Sequence, residues 1–66
     1  MRVTVNDQEL DLPEPCTVAG LLERLQLPGT RVAVEVNQRI VRRADHAGTT
    51  LGEGDRIEVV TLVGGG

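Results

Sequence analysis

Only one stretch of this chain carries a helical repeat. Val18, Leu21, Leu22 and Leu25 fall at i, i+3, i+4 and i+7 and form one apolar stripe, with Glu23, Arg24 and Gln26 on the other side. Thr17 precedes the stripe and is a good N-cap residue. Leu27-Pro28-Gly29 follows it and predicts the stop. A single short helix cannot bury such a stripe against itself, so the rest of the chain has to supply the opposing surface. Gly20 falls in the first turn and weakens the helix there by roughly 1 kcal/mol relative to Ala. It is also a place where another group can approach the backbone closely.

Everything else with a pattern alternates. Val3 and Val5 alternate with Arg2 and Thr4, a half-buried strand. Asn6-Asp7 supplies turn chemistry, because both side chains tolerate left-handed backbone. Leu10 and Leu12 then alternate with Glu9 and Asp11 and return the chain as a hairpin. Pro13 and Pro15 end it, since neither can donate to a sheet ladder. Beyond the helix, Val32, Val34 and Val36 alternate with Ala33 and Glu35, and Asn37-Gln38 turns the chain. Arg39 to Arg42 forms a short strand through Ile40 and Val41, and residues 43–50 are polar and irregular. Gly52-Glu53-Gly54-Asp55 is a turn, and Arg56 to Val63 is the last strand. Ile57 and Val59 point one way along it, Val60 and Leu62 the other.

The order ββαβ(β)β predicts an α+β fold of the β-grasp, ubiquitin-like kind. In it a mixed four- to five-stranded sheet packs on one central helix, with the first strand parallel to the last. This domain is expected over residues 1–63, with residues 64–66 as a flexible glycine tail.

Size and composition limit what such a domain can do. A chain of 66 residues is one domain and buries only about 60% of its unfolded surface, too little to wall a deep pocket. A partner is therefore expected to supply any reaction site. No Phe, Tyr or Trp is present, so the core is built from Val, Leu, Ile and Ala, and no platform exists for stacking on bases. The net charge is −3 and Arg supplies every cation, as there is no Lys. An acidic chain without a basic stripe does not suit nucleic acid but does suit a basic protein surface. The single Cys excludes an internal disulfide and a four-cysteine metal or iron–sulfur framework. Cys16 has no basic sequence neighbour to activate it and reads as a small residue at a loop end. His46 lacks a second ligand at metal spacing. Arg39, Arg42 and Arg43 read as a solvated strand edge. There is no 18-residue apolar run and no basic-then-apolar signal pattern, so a cytoplasmic protein without membrane contact is expected.

The chain then runs from Leu62-Val63 into Gly64-Gly65-Gly66. By composition alone such a run is equally a frayed terminus, an expression scar or an active end. The physical basis for an active end is reach and fit. Three extended residues span roughly 10 Å. Without side chains they thread a narrow channel and adopt backbone angles closed to other residues. The α-carboxylate at the tip is ionised at neutral pH. A carboxylate attacks the α-phosphate of ATP, and the resulting acyl-adenylate is open to a sulfur nucleophile. Val60, Leu62 and Val63 are the expected docking residues, because one helix covers only one face of the sheet.

Several segments, in their order and spacing, resemble the ThiS family, the sulfur carriers of thiamine-thiazole biosynthesis. They are Val3-Thr4-Val5-Asn6, Thr17-Val18 leading to Leu21-Leu22, and Val32-Ala33-Val34-Glu35-Val36-Asn37. Ile40-Val41 with Arg43, Gly54-Asp55-Arg56-Ile57-Glu58-Val59-Val60 and Val63-Gly64-Gly65-Gly66 complete the match. The resemblance implies that an E1-like adenylyltransferase (ThiF-like) adenylates Gly66 with ATP and Mg, while Gly64 and Gly65 thread its channel. A persulfide donor then replaces the activated oxygen, and the Gly66 thiocarboxylate passes sulfur to thiazole synthase (ThiG-like). On this reading the chain is a protein co-substrate, not an enzyme, and binds no cofactor itself. Arg42, where the family often has Pro, and His46, where it often has an aromatic, are departures that bear on partner contacts. Three other readings share the fold: a carrier for molybdopterin synthesis, a ubiquitin-like modifier of lysines, and a non-covalent β-grasp interaction module.

Overall fold

In the computed structural model, which describes residues 1–62, the alternating and helical segments become β1 (Arg2–Val5), β2 (Gln8–Asp11), α1 (Val18–Arg24), β3 (Val32–Val36), β4 (Arg39–Val41) and β5 (Arg56–Thr61). Short 3-10 turns lie at Gly29–Arg31 and Arg43–Asp45. The strands form one sheet in the order β2-β1-β5-β3-β4. β1 runs parallel to β5, and the β1–β2, β3–β4 and β3–β5 pairs are antiparallel. This is the β-grasp arrangement that the element order predicts.

Both hairpins turn through left-handed residues: Asn6 and Asp7 have φ of 49° and 68°, Asn37 and Gln38 of 53° and 68°. Two successive positive φ values match the right-handed twist of the flanking strands. The two asparagines also reach across the chain. Asn6 donates from Nδ2 to the Val59 carbonyl at 3.0 Å and accepts from the Val59 amide at 2.9 Å. Its side-chain amide acts as one more rung between β1 and β5. Asn37 accepts from the Arg56 amide and donates to Asp55 Oδ1, both at 3.0 Å.

The helix begins where the sequence places it. Thr17 is the N-cap, its side chain accepting from the Gly20 amide at 3.1 Å. Val18, Leu21 and Leu22 are buried, and each contributes about 1.5–3 kcal/mol through removal from water. They meet Val3, Val5, Val34, Ile57 and Val59 from the inner face of the sheet. A Cβ at Gly20 would lie 3.4 Å from Cys16 Sγ, an ordinary van der Waals distance, so no close approach requires glycine there.

The helix stops at Arg24, before the predicted Leu27-Pro28-Gly29 breaker. Gln26 takes φ 59°, its amide donates to the Glu23 carbonyl, and the Leu27 amide reaches back to the Leu22 carbonyl at 2.9 Å. This is a Schellman cap with glutamine in the position glycine usually fills. A side chain there costs about 1–2 kcal/mol in the folded state, partly offset by its lower unfolded-state entropy. Gln26→Gly is therefore expected to stabilise the fold by about 0.5–1 kcal/mol, read as a higher urea midpoint at unchanged m-value.

Two further expectations are corrected. Residues 43–50 were expected to be irregular and polar. Instead a 3-10 turn forms at Arg43–Asp45, and His46 is 5% exposed. Leu51, just beyond, joins the core. The segment is stitched to the start of α1: Val18 and Ala19 donate to the Thr49 and His46 carbonyls, and Leu51 donates to that of Cys16. The first two of these bonds satisfy helix-start donors that have no partner inside the helix. Cys16 is buried in the core rather than merely at a loop end.

Candidate functional site

β5, the last strand in the chain, is the central strand of the sheet, pairing with β1 on one side and β3 on the other. Thr61 stands opposite Val32 in the ladder. The next residue, Leu62, donates from its amide to the Arg31 carbonyl at 2.7 Å. The root of the tail is therefore held against the 3-10 turn Gly29–Arg31. Val63, Gly64, Gly65 and Gly66, all named by the sequence reading, lie outside the described residues. Between Arg56 and Leu62 the strand presents two distinct faces. Ile57 and Val59 are buried against α1, whereas Val60 is 58% and Leu62 52% exposed.

The outer face of the sheet divides by chemistry. At the β2–β1 end it is charged: Arg2 pairs with Glu9 at 3.0 Å and with Asp11 at 3.1 Å. The hydrogen bond and charge of the Arg2 guanidinium hold the Asp11 carboxyl below the usual carboxylate range. A depressed folded-state pKa stabilises above the unfolded value, and that contribution is lost as pH falls through the folded one. Both groups are fully exposed, so this pair is a surface feature and not part of a reactive cluster. Arg56 pairs with Asp7 at 2.8 Å. At the end where the tail begins the face turns apolar. Val60 stands opposite Ala33, and Ile40, paired with Glu35 on β4, is 76% exposed. Ile40, Ala33, Val60 and Leu62 thus share the outer side of the sheet with the Glu35–Glu58 pair, and Val60 and Leu62 lie nearest the tail root. Sequence reading had named Val60 and Leu62 by parity. It had missed Ile40, because one apolar residue in a three-residue strand carries no periodic signal.

Arg39, Arg42 and Arg43 are exposed along and just after β4, as expected. Among the described residues none of them is within ion-pair distance of a carboxylate. Cys16 Sγ lies 3.5 Å from the Thr17 carbonyl, and His46 Nε2 lies 3.3 Å from the Val41 carbonyl. Each is committed to local structure. Among the described residues no group of His, Cys, Asp or Glu is placed to hold a metal ion, and no helix is long and apolar enough to cross a membrane.

This geometry offers a strand end with an apolar shoulder as a handle for whatever follows Leu62. Comparison with known proteins gives it a family. The family model described as "ThiS family" matches residues 1–66. The chain belongs to the ThiS family. It is 33% identical to the sulfur carrier protein ThiS of Escherichia coli, covering 100% of both chains. It is 35% identical over 66 residues to a thiazole synthase of Paramagnetospirillum magneticum, of which it spans only 20% of the length. Its backbone is also similar to the crystal structure of a thiamine biosynthesis protein (ThiS) from Geobacter metallireducens. There the TM-score is 0.85 at 32% identity, with both chains fully covered. The β-grasp fold and the family inferred from the residues are thus shown.

Proposed function

We propose that this member of the ThiS family is a sulfur carrier of thiamine biosynthesis, with Gly66 as the reacting residue. One observation carries the reading: the end-to-end match to the E. coli sulfur carrier, in a chain whose last strand ends at Thr61 and whose sequence continues Leu62-Val63-Gly64-Gly65-Gly66. The chemistry is acyl activation. An E1-like adenylyltransferase holds MgATP, and the Gly66 carboxylate attacks the α-phosphate as pyrophosphate leaves. A persulfide sulfur then attacks the acyl carbonyl and AMP leaves. A thiol cleaves the resulting S–S bond by reduction, so that one sulfur stays on Gly66 as a thiocarboxylate. The carrier supplies a substrate group on a stem, while positioning and charge stabilisation come from the enzyme. A cytoplasmic, reducing setting suits this chemistry.

Thiazole synthase is the proposed recipient. In support, thiazole synthases of P. magneticum and Magnetococcus marinus match this chain over 20% of their length, so a ThiS-like segment and a thiazole synthase share one polypeptide there. That favours thiazole formation over molybdopterin synthesis, and over conjugation to lysines. Intact mass of the protein isolated from its host tests the carrier role. A fraction with one oxygen replaced by sulfur, alkylatable at the C-terminus, is expected. Finding only the free carboxylate, even after incubation with ATP, Mg, a persulfide donor and the activating enzyme, would sink it.

The apolar shoulder beside the tail root is the proposed docking surface. Val60→Glu combined with Leu62→Glu removes it without touching the core, as both side chains are more than half exposed. Stability is expected to change by no more than about 0.5 kcal/mol, while affinity for the activating enzyme falls about tenfold or more. Titration calorimetry checks both enzyme partners in turn. Unchanged affinity for each would place docking elsewhere.

A further inference from the structure

His46 is the one buried polar or charged residue among those described, and only half of its ring chemistry is used. Nε2 lies 3.3 Å from the Val41 carbonyl. A carbonyl can only accept, so the proton of the neutral ring sits on Nε2 and Nδ1 carries the lone pair. Among the described residues nothing donates to Nδ1. Every fully enclosed side-chain nitrogen and oxygen there does have a hydrogen-bond partner, so Nδ1 is not enclosed and faces open space.

That space is a cleft of about 310 Å³ between α1 and residues 27–29. Leu22, Leu27 and Pro28 give it aliphatic walls. Gly29 acts by what it lacks: a Cβ there would lie 3.4 Å from Nδ1 and 3.9 Å from Leu22 Cδ1. Any side chain at position 29 would fill the space beside the lone pair. Exposed Glu23 also lines the cleft, and among the described residues it pairs with no cation.

These features select one kind of occupant. A buried lone pair takes only a donor, a free carboxylate favours a cation, and aliphatic walls favour a methylene stem. Arginine joins all three, with several N–H donors, no acceptor and a permanent charge. Its guanidinium is also more weakly hydrated than an ammonium, which lowers the cost of partial burial. The cleft is at the lower limit of small-molecule sites, about 300 Å³, and suits a single side chain. The net charge of −3 draws a basic surface toward it.

We propose that this cleft is a docking site for an arginine side chain of a basic protein partner, with His46 Nδ1 and the Glu23 carboxylate accepting its N–H groups. None of this depends on the chemistry of the tail.

The test titrates the full chain with the peptide acetyl-Ala-Arg-Ala-amide, followed by the amide NMR signals of Leu22, Gly29 and His46. Saturable shifts are expected with Kd of about 1–10 mM, the range one side chain can give. The same peptide with citrulline, a neutral isostere of arginine, is expected to bind at least about tenfold more weakly. His46→Phe keeps the ring but removes the acceptor, and is expected to weaken the arginine peptide about tenfold. Gly29→Ala, whose Cβ takes the space beside Nδ1, is expected to weaken it about as much. Glu23→Gln, at the surface, is expected to cost about threefold and carries the test should His46→Phe not fold. Equal binding of the citrulline peptide would mean an apolar cleft only, and would overturn the proposal. So would the absence of saturable shifts, or an affinity that Gly29→Ala and Glu23→Gln leave unchanged. Binding of butylguanidinium with the peptide excluded would show a site for a free small cation, and would overturn the protein partner.

Discussion

Removing Gly66 is expected to reduce sulfur loading by more than about a hundredfold while leaving the unfolding transition where it was. The shortened chain still ends in a carboxylate, that of Gly65, so the chemistry of the terminal group is unchanged. What changes is reach: one extended residue is about 3.3–3.6 Å, and reacting atoms have to meet at roughly 3–3.5 Å with aligned orbitals. A carboxylate set back by a whole residue misses the α-phosphate by more than that tolerance. Gly65→Val separates reach from fit. It keeps Gly66 and its carboxylate but places a β-branched side chain in the segment proposed to thread the channel, where left-handed angles and close walls are closed to it. Loading is expected to fall here as well, with stability unchanged. Pyrophosphate release and intact mass read both variants. Loading of the Gly66-deleted chain at the normal rate would show that the reacting group lies elsewhere.

The second large effect concerns the fold. Leu21→Ala is expected to cost about 2–5 kcal/mol, through lost transfer free energy and the cavity left behind. Leu21 heads the fully buried side chains by volume, and the chain has no aromatic residue to share the load. A domain of this length has only about 3–10 kcal/mol of total stability. The variant is therefore expected to lose roughly half of its stability. Leu25 lies on the same stripe but caps the helix and is only half-buried, so Leu25→Ala is expected to cost about 1–2 kcal/mol. Urea unfolding followed by circular dichroism measures both. A cost below that of Leu25→Ala at position 21 would mean that the core is organised around some other residue.

These predictions also mark two kinds of site. On the proposed reading, the consequences of the tail follow from backbone reach and a terminal carboxylate. The docking shoulder of Ile40, Val60 and Leu62 acts by being apolar where water would otherwise lie, beside charged residues at the far end of the sheet. Their placement at one end of β5 lets a single partner grip the shoulder while reading the tail. Arg39, Arg42 and Arg43, paired with no carboxylate among the described residues, lie on and just after β4.

Much of this was legible before any coordinates. The helix stripe and N-cap, the two Asn-led turns, and the opposite faces of Ile57 and Val60 are signals within a few residues of one another. Periods of 3.6 and 2, cap chemistry and turn propensity act at that range, so the residues determined the elements, their order and the β-grasp they build. The glycine tail and its resemblance to sulfur carriers were legible for the same reason. Other features depended on residues far apart in the chain. Leu51 is core because its amide is drawn to Cys16. His46, in a polar segment with no period, is buried where the Val41 carbonyl and the Ala19 amide meet it from β4 and α1. No local rule encodes a partner that arrives from elsewhere in the sequence. Local propensity therefore determined which pieces this protein has, and only tertiary packing decided which carbonyl holds the root of its tail.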